Sequence, residues 1–360
     1  MSLFSKQSSG LMGVDISASG IKLVELARGK NGYEISAYAY VSLPEGAIVE
    51  NSIAQPQAVS DALRQAVAVA GTSSRDVALA VSGNAVIIKT ITLPVMSELE
   101  LEGQIEFEAD QHVPYDIEDV SLDFFIQGAS LDDPEQMDVV LVACKREIIE
   151  QYQQVMEEAG LRAACIDCAV FAIENAAEMC QLVPGGTADD AQLPEQGSEA
   201  TMLVNIGATM MNINVCIAGR MGFVRDQFFG GQHLSEAIAQ TQALSMAAAE
   251  QLKVEQFDAI QPAALQEFYM GLTSELTRSL DFYNASRGSY PVGSVCLTGG
   301  TALLPNIADE LTRALDMPVR VINPLEHLHL SATSLDAHYL KRHGPMLMVP
   351  LGLALRKFDR

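Results

Sequence analysis

Alternating apolar and polar residues predict that the chain opens with a β-hairpin, a third strand and a helix. Residues 12–26 contain two apolar stretches around a polar turn at 17–20, and residues 33–42 alternate in the same way. Residues 57–70 repeat apolar positions at helical spacing, and Gly71 provides a common stop at a helix C-terminus. The first part of the chain is therefore predicted to be a mixed α/β unit.

The second half begins with the same pattern as the first. Residues 202–224 consist of a strand, a turn of small residues, a second strand, a Gly turn and further strand. Later segments predict a long helix over 268–286, a buried strand that runs through a Gly-Gly turn over 294–304, and an apolar segment over 346–355. Similar units at the start of each half predict an internally duplicated fold. A chain of 360 residues is also too long for one hydrophobic core.

An unusual charge distribution sets apart the segment between Thr90 and Cys144. It contains 14 acidic residues and neither Lys nor Arg. Ser97 and Glu100 have the spacing of a capping box, which predicts the start of a helix that Pro114 closes. The charge either forms a solvated surface or offers a docking face for a basic partner.

One face of this predicted helix is apolar, and strands are expected after it. The apolar residues at helical spacing are Leu101, Ile105, Ala109 and Val113. Residues 122–127 and 137–144 have strand character. We interpret the segment as a separate, acidic α+β subdomain.

Composition and charge exclude several classes of function. The 22 Lys and Arg residues are outnumbered by 46 Asp and Glu residues, which gives a formal net charge of −24. Nucleic acid and anionic lipid both attract positive surfaces, so neither is an expected partner. No apolar run approaches the ~20 residues that cross a bilayer, and the start of the chain lacks the apolar stretch of a secretory signal. Six cysteines are too few for a disulfide scaffold, so a reducing cytoplasm is the expected compartment.

The polar turn of the first hairpin carries residue types that bind phosphate. Backbone N–H groups of a turn built from small residues can approach phosphate oxygens closely. Ser17 and Ser19 are candidates for phosphate contacts and Lys22 for neutralising the charge. Asp15 is placed to hold Mg²⁺ through water. A surface hairpin with a polar tip would have the same residues, so the motif alone leaves both interpretations open.

The motifs, taken in order, resemble those of the actin, Hsp70 and sugar-kinase superfamily. Within it they resemble the PilM family of actin-like type IV pilus assembly proteins, which is related to FtsA. The resemblance spans nearly the whole chain and is carried by GVDISASGIKLVEL (13–26), ITLPVMSELELEGQIEFEADQHVPYDIEDVSLDF (91–124), FFGGQHLSEAI (228–238), ELTRSLDFY (275–283), VCLTGGTALLPNIADEL (295–311) and MLMVPLGLALRKFD (346–359). It implies an α/β fold of the actin-like type, two-lobed and duplicated, with an inserted small α+β subdomain.

The resemblance also implies a division of the chain. The first actin-like lobe would comprise residues 1–85 and 145–183. The inserted acidic subdomain, which is similar to subdomain 1C of FtsA, would comprise residues 86–144. A flexible acidic connector would follow at 184–200, and the second actin-like lobe would comprise residues 201–360.

In proteins that this chain resembles, ATP and Mg²⁺ bind between the lobes. The first phosphate loop would be residues 15–22 and the second 205–209, with glycines near the ribose, a helix beside the ribose and base, and a turn at the adenosine. The implied cofactor-binding residues are Asp15 (through water to Mg²⁺), Ser17, Ser19, Lys22, Asn205, Gly207, Thr209, Gly231, Glu250, Lys253, Gly299, Gly300 and Thr301.

One position departs from the pattern of the superfamily. Its members usually carry Asp at the start of the second phosphate loop, where this chain has Asn205. An amide keeps a carbonyl acceptor but loses the negative charge and the capacity to act as a base. We therefore predict ATP binding with little or no hydrolysis.

Three functions are compared for a chain of this kind. The resemblance implies a cytoplasmic scaffold, peripheral to the inner membrane, that binds the N-terminal tail of the membrane protein PilN between the first lobe and the acidic subdomain. Pilus motor ATPases are a further candidate partner. An ATPase or small-molecule kinase, the alternative, needs a catalytic base at a substrate pocket, and none is evident. A filament subunit like FtsA needs a C-terminal amphipathic anchor, and no direct membrane anchor is expected. We predict the scaffold.

Overall fold

The computed structural model describes residues 10–29, 32–131, 133–183, 198–287, 290–330 and 337–358. The strands are β1 (Leu11–Ser17), β2 (Gly20–Gly29), β3 (Gly32–Ser42), β4 (Ile48–Val49), β5 (Ser52–Ile53), β6 (Asp76–Val81), β7 (Val86–Pro94), β8 (Val120–Ala129), β9 (Gln136–Lys145), β10 (Arg162–Cys168), β11 (Ala200–Ile206), β12 (Met211–Ile217), β13 (Arg220–Gln227), β14 (Val292–Thr298), β15 (Val319–Val321) and β16 (His329–Leu330). The helices are α1 (Pro56–Ala70), α2 (Glu98–Glu102), α3 (Ile105–His112), α4 (Arg146–Glu158), α5 (Ala169–Met179), α6 (Gly231–Gln242), α7 (Met246–Glu255), α8 (Pro262–Arg287), α9 (Ile307–Leu315), α10 (Ala337–His343) and α11 (Met348–Leu355).

Two sheets of the molecule repeat one strand order. The first contains β3-β2-β1-β6-β10 in sequence across the sheet, and the second contains β13-β12-β11-β14-β15. In both, the first two pairings are antiparallel and the next two are parallel. The predicted duplication and the two-lobed α/β fold are therefore confirmed.

The first hairpin of each sheet places equivalent residue pairs opposite each other. Asp15 of β1 pairs across the strands with Lys22 of β2, and Asn205 of β11 pairs with Asn212 of β12. Residues directly opposite each other on antiparallel strands have side chains close enough to interact. The duplication therefore puts a polar pair just before the turn in each lobe.

A third sheet, of order β7-β9-β8, lies in the acidic segment. The helices α2 and α3 cover one of its faces, and their apolar residues join the inner face of the strands in a core of their own. Strand β9 is central, so β8 and β7 are edge strands. An edge strand leaves backbone groups without strand partners on one side.

The single helix predicted after Ser97 is divided in two. The capping box is present, with Glu100 Oε2 accepting from Ser97 N at 2.8 Å. The four residues of the predicted apolar face are all buried. The helix nevertheless stops at Glu102, and Gly103 caps its C-terminus before α3 begins at Ile105. Glycine is a poor residue for a helix interior, which accounts for the interruption.

Two helices cross between the sheets and bring the lobes together. At Gly352 of α11, an added Cβ would lie 1.7 Å from the carbonyl oxygen of Ala172 of α5. At Gly13 of β1, an added Cβ would lie 1.9 Å from the carbonyl oxygen of Pro350. A hydrophobic core built from α5, α11 and residues of both large sheets surrounds this crossing. The two glycines therefore allow backbone contacts that any side chain would prevent.

The end of the chain returns to the first sheet. Residues His329–Leu330 pair in parallel with β3, although the sequence placed 201–360 in the second lobe. Such a pairing joins residues that are far apart along the chain and leaves no local signal. The predicted connector at 184–200 lies, up to residue 197, outside the described residues.

Among the helices of the described ranges, none combines the length and the apolar composition that crossing a bilayer requires.

Candidate functional site

The hairpin of β1 and β2 holds a buried ion pair. Lys22 Nζ lies 2.7 Å from Asp15 Oδ2 and 3.2 Å from Ser17 Oγ, which in turn lies 3.2 Å from Ser19 Oγ. The Lys22 side chain is only 8% exposed and that of Asp15 19%. The four residues predicted for the first phosphate loop are thus in one cluster, with an ammonium, a carboxylate and two hydroxyls.

The second predicted phosphate loop is joined to two other predicted segments. Gly207 O accepts hydrogen bonds from Gly231 N at 3.0 Å and from Thr301 Oγ1 at 2.7 Å. Gln232 N donates to Ala208 O at 2.7 Å. These bonds fix the N-terminus of α6 and the Gly-Gly turn against the loop after β11. Residues from three distant parts of the sequence therefore meet here.

The Gly299–Gly300 turn is tight at its first residue and less crowded at its second. Gly299 has a φ of +90°, and a Cβ there would lie 2.4 Å from the carbonyl oxygen of Ile206. Around Gly300, a Cβ would find its nearest neighbours on Met346 at 3.9 Å. Thr209 lies half-buried in the adjoining loop. A Cβ at Gly300 would therefore make only ordinary van der Waals contact, so the turn is less crowded there than at Gly299.

The predicted helix residues are tied to the start of α6. Lys253 Nζ donates to Gly231 O at 2.9 Å and to Glu250 Oε2 at 2.6 Å. Ser235 Oγ donates to the same carboxylate oxygen at 2.6 Å. The ammonium of Lys253 is thus held by protein groups and positions α7 against α6.

A row of polar side chains crosses the second sheet beside the loop. Asn205, Asn212 and Asp226 occupy directly paired positions on β11, β12 and β13. Asn205 Nδ2 donates to Asn212 Oδ1 at 3.0 Å, and Asn212 Nδ2 donates to Asp226 Oδ1 at 2.8 Å. The amide at position 205 therefore has a defined partner, and a carboxylate stands two strands away.

Sequence reasoning missed Asp226, which also connects the lobes. Its second carboxylate oxygen accepts from the backbone N–H of Gly83 in the first lobe. Burial raises the pKa of Asp226 above its ordinary value, although the bonds from Asn212 and Gly83 act in the opposite direction. Only the register of β12 with β13 reveals this residue, because nothing around it in sequence is distinctive.

A second contact links the lobes next to Gly83. Asn51 Nδ2 lies 2.8 Å from Ser82 Oγ and 3.2 Å from Met210 Sδ. Met210 directly follows the second predicted phosphate loop, 205–209, so the first lobe touches the second lobe next to that loop. The contacts of Asn51 and Gly83 thus close the back of the cleft.

A cavity of about 670 Å³ lies apart from this cleft, between the acidic subdomain and the lobes. The edge strand β8 forms one wall and α5 the opposite one, where Phe125 and Phe171 meet edge to face with 5.7 Å between ring centroids. Asp167 at another wall is paired with Arg356, Oδ2 to Nε at 2.7 Å. The cavity therefore combines aromatic surface, charge and an unpaired strand edge.

Glu174 of α5 lines this cavity and has an altered acidity. Desolvation by the surrounding protein raises the pKa of Glu174 to about 7, and the charge of Glu178 acts in the same direction. Hydrogen bonds from Asn214 and Cys216 act in the opposite direction. Glu174 keeps part of its accessible surface and lines the cavity.

The raised pKa of Glu174 predicts a pH-dependent stability. The folded state binds this proton more tightly than the unfolded chain, so Glu174 stabilises the fold at low pH and loses that effect as pH rises through 7. Between pH 5 and pH 8 the wild type should lose about 2 kcal/mol more of its free energy of unfolding than Glu174→Gln does. Urea unfolding at both pH values measures this difference. The control Glu157→Gln, at an exposed position, should show the same change in free energy of unfolding as the wild type. If Glu174→Gln also showed that change, Glu174 would not be the source of the pH dependence.

The residues of the cleft fit the phosphates of a nucleotide better than they fit a metal ion alone. Small residues, backbone N–H groups and Lys22 suit phosphates. No group of three or more His, Cys, Asp or Glu side chains in the described part of the chain could hold a metal. Mg²⁺ would therefore depend on phosphate oxygens and water, with Asp15 behind the water.

Three solved structures with a similar fold indicate the class of this protein. A structure described as the PilM–PilN type IV pilus biogenesis complex is similar at 28% identity and a TM-score of 0.83, covering 97% of this chain and 99% of that one. The ethanolamine utilization protein EutJ from Carboxydothermus hydrogenoformans is similar at 17% identity and a TM-score of 0.54, with 96% and 88% of the chains covered. MreB5 of Spiroplasma citri bound to AMPPNP is similar at 12% identity and a TM-score of 0.50, with 89% and 95% covered.

The duplicated sheets, the crossing helices and these similarities define a two-lobed protein of the actin-like fold. A family model described as the type IV pilus assembly protein PilM matches residues 13–358. The chain belongs to that family, as its sequence motifs predicted.

Proposed function

We propose that this chain is a cytoplasmic scaffold of type IV pilus assembly that binds the N-terminal tail of PilN in the cavity between β8 and α5. The observation that carries the proposal is that cavity, which lies beside an edge strand and has a volume of about 670 Å³. The similar PilM structure is described as a complex with PilN, which supports PilN as the partner. Attachment to a membrane protein would make the scaffold peripheral to the inner membrane.

The lining of the cavity suits an extended peptide with basic residues. An incoming strand can add to the free edge of β8 through main-chain hydrogen bonds. Phe125, which is 41% exposed, offers apolar contact. Asp123 and Glu174 face the same space, and opposite charges across an interface speed association and align the partners.

Calorimetric titration with the N-terminal cytoplasmic peptide of PilN from the same organism tests the proposal. We expect saturable binding with one peptide per chain. Phe125→Asp should abolish the heat of binding because it places a charge on the apolar wall, whereas Phe107→Asp should leave it unchanged. Phe107 is the matched control because it is 71% exposed on α3 and does not line the cavity. Absence of heat with the wild type would overturn the proposal.

The scaffold is also proposed to hold ATP and Mg²⁺ in the cleft without rapid turnover. Asn205 supplies an amide where a base would be needed, and its Nδ2 is engaged by Asn212. Asp226 is the carboxylate in the same row, and both of its oxygens accept hydrogen bonds within the protein. A general base must lie within reach of the attacking water, whereas the two bonds of Asp226 hold it at the contact between Asn212 and Gly83. These observations favour a nucleotide-binding scaffold over the alternative, an ATPase or small-molecule kinase.

A further inference from the structure

The wall of the cavity on α5 contains a carboxylate that no cation neutralises among the described residues. Glu174 Oε2 accepts from Asn214 Nδ2 at 3.3 Å, and its other oxygen lies 3.9 Å from Cys216 Sγ. The first of these bonds is long and the second involves a weak donor. A carboxylate can accept several hydrogen bonds, so Glu174 retains unused acceptor capacity on the cavity side.

The partner of Glu174 shows the same shortage of donors. Asn214 is 1% exposed on β12, and its Oδ1 has no hydrogen-bond donor in the part of the chain that the structure describes. A buried acceptor without a donor costs free energy. Glu174 and Asn214 therefore form an acceptor-rich corner, and of the two residues Glu174 lines the cavity, where it can bind a proton or a ligand with several N–H groups.

The other charged groups around this corner do not supply such donors to Glu174. Glu178 lies on the same helix and adds like charge. Asp123 lies on β8, and Asp167 is paired with Arg356. Arg220 also lines the cavity, and its Nη1 donates to the carbonyl oxygen of Ala129 at 2.6 Å. Cys216 on β12 is neutral at physiological pH because burial raises the pKa of its thiol.

We propose that Glu174 is the specificity-determining residue of the cavity and binds a Lys or Arg side chain of the docked peptide. An ammonium or guanidinium group carries only donors and a positive charge, which matches what the corner lacks. The inference rests on the proposed function, since it names the feature of the PilN tail that the cavity selects. It also distinguishes a specific contact from the general attraction of an acidic surface.

The assignment has a consequence for the pH dependence of binding. A cation binds the ionised carboxylate, and the pKa of Glu174 lies near 7 in the free protein. The ionised fraction, and with it the affinity, should therefore rise about tenfold from pH 6 to pH 8. The N-terminal amine of a peptide titrates in the same range with the opposite sign, so an N-acetylated peptide is the appropriate probe.

The test is a calorimetric titration of the full chain with the N-acetylated PilN tail at pH 6 and pH 8. At pH 8, Glu174→Gln should bind roughly 10- to 100-fold more weakly than wild type, as expected for loss of a charged hydrogen bond, and should lose the pH dependence. Glu157→Gln, on the exposed face of α4, should bind like wild type. Circular dichroism of both variants checks that they fold.

Peptides in which each Lys or Arg is replaced by Gln identify the bound side chain. Each peptide is also titrated into Glu174→Gln. The peptide that lacks the side chain bound by Glu174 should lose no further affinity for this variant, whereas replacement of an independent residue would lower the affinity additively. Equal affinity of Glu174→Gln and wild type, or additivity for every peptide, would overturn the inference while leaving tail binding intact. Binding that requires a free N-terminal amine would assign the corner to that amine and overturn the side-chain assignment. Absence of tail binding by the wild type would overturn the proposed function, and this inference with it.

Discussion

Lys22→Met is expected to remove measurable nucleotide binding and to lower the free energy of unfolding by about 3 kcal/mol. Removing one partner of a buried ion pair leaves the other charge uncompensated, which commonly costs 3–5 kcal/mol, and the partial exposure of Asp15 puts this case at the lower end. The phosphates would also lose the cation that lies beside the predicted phosphate loop, because Lys22 is the residue whose ammonium contacts Ser17 and Asp15. The stability and the affinity should therefore fall together.

A second substitution separates these two effects. Asp15→Asn combined with Lys22→Met removes both charges, so most of the lost stability should return while nucleotide binding stays absent. Lys89→Met, at an exposed position of β7, is the matched control and should change neither property. Urea unfolding measures the stability, and titration of a fluorescent ATP analogue with Mg²⁺ measures the binding. Wild-type affinity in Lys22→Met would show that this hairpin does not hold phosphate.

The same samples can report turnover. Phosphate release by the wild type should remain far below that of a working ATPase, because Asn205 cannot act as a base and Asp226 is bound to Asn212 and Gly83. Rapid release that disappears in Lys22→Met would contradict the scaffold and restore the alternative of an enzyme.

The sequence predicts the features of this molecule that depend on local pattern. The turn of β1 and β2, the capping box at Ser97 and the buried face of α2 and α3 all follow from residue spacing and appear in the structure. The first hairpin could also be predicted to place Asp15 opposite Lys22, since a two-residue turn fixes the register of the strands around it. The break at Gly103 was missed because the apolar periodicity continues across it.

Features that depend on distant pairings could not be predicted in this way. Asp226 joins Asn212 and Gly83 only because β13 pairs with β12 and the lobes meet at that point. Glu174 and Asn214 come together because α5 packs on β12 of the other lobe. These two residues stand out because of their burial and their shortage of hydrogen-bond donors, and neither property can be inferred from the neighbouring residues in the sequence. The resemblance to the PilM family supplied the outline of the nucleotide site but none of these contacts.

Gly352→Ala should destabilise the protein by about 3 kcal/mol, although alanine favours a helix by roughly 1 kcal/mol over glycine. The added methyl group would lie 1.7 Å from the carbonyl oxygen of Ala172, and overpacking of a fixed core typically costs 1–3 kcal/mol and occasionally more. Helix α11 cannot withdraw easily, because it also lies close to β1, where a Cβ at Gly13 would be 1.9 Å from the carbonyl oxygen of Pro350. The helix preference is therefore outweighed.

Urea unfolding of Gly352→Ala beside Gly103→Ala measures this effect. Gly103 has a right-handed helical conformation, and a Cβ there would meet its nearest neighbour, the Glu100 carbonyl oxygen, at an ordinary 3.5 Å, so the control should be neutral or slightly stabilised. The nucleotide cleft and the peptide cavity both lie between elements that this crossing aligns, since α5 carries Glu174 and α11 packs on β1. Gly352→Ala should accordingly lower the affinity for both the nucleotide and the peptide, whereas Lys22→Met should lower only the affinity for the nucleotide. Wild-type stability of Gly352→Ala would mean that the two helices can separate at this point, and the crossing would then not fix the relation between the lobes.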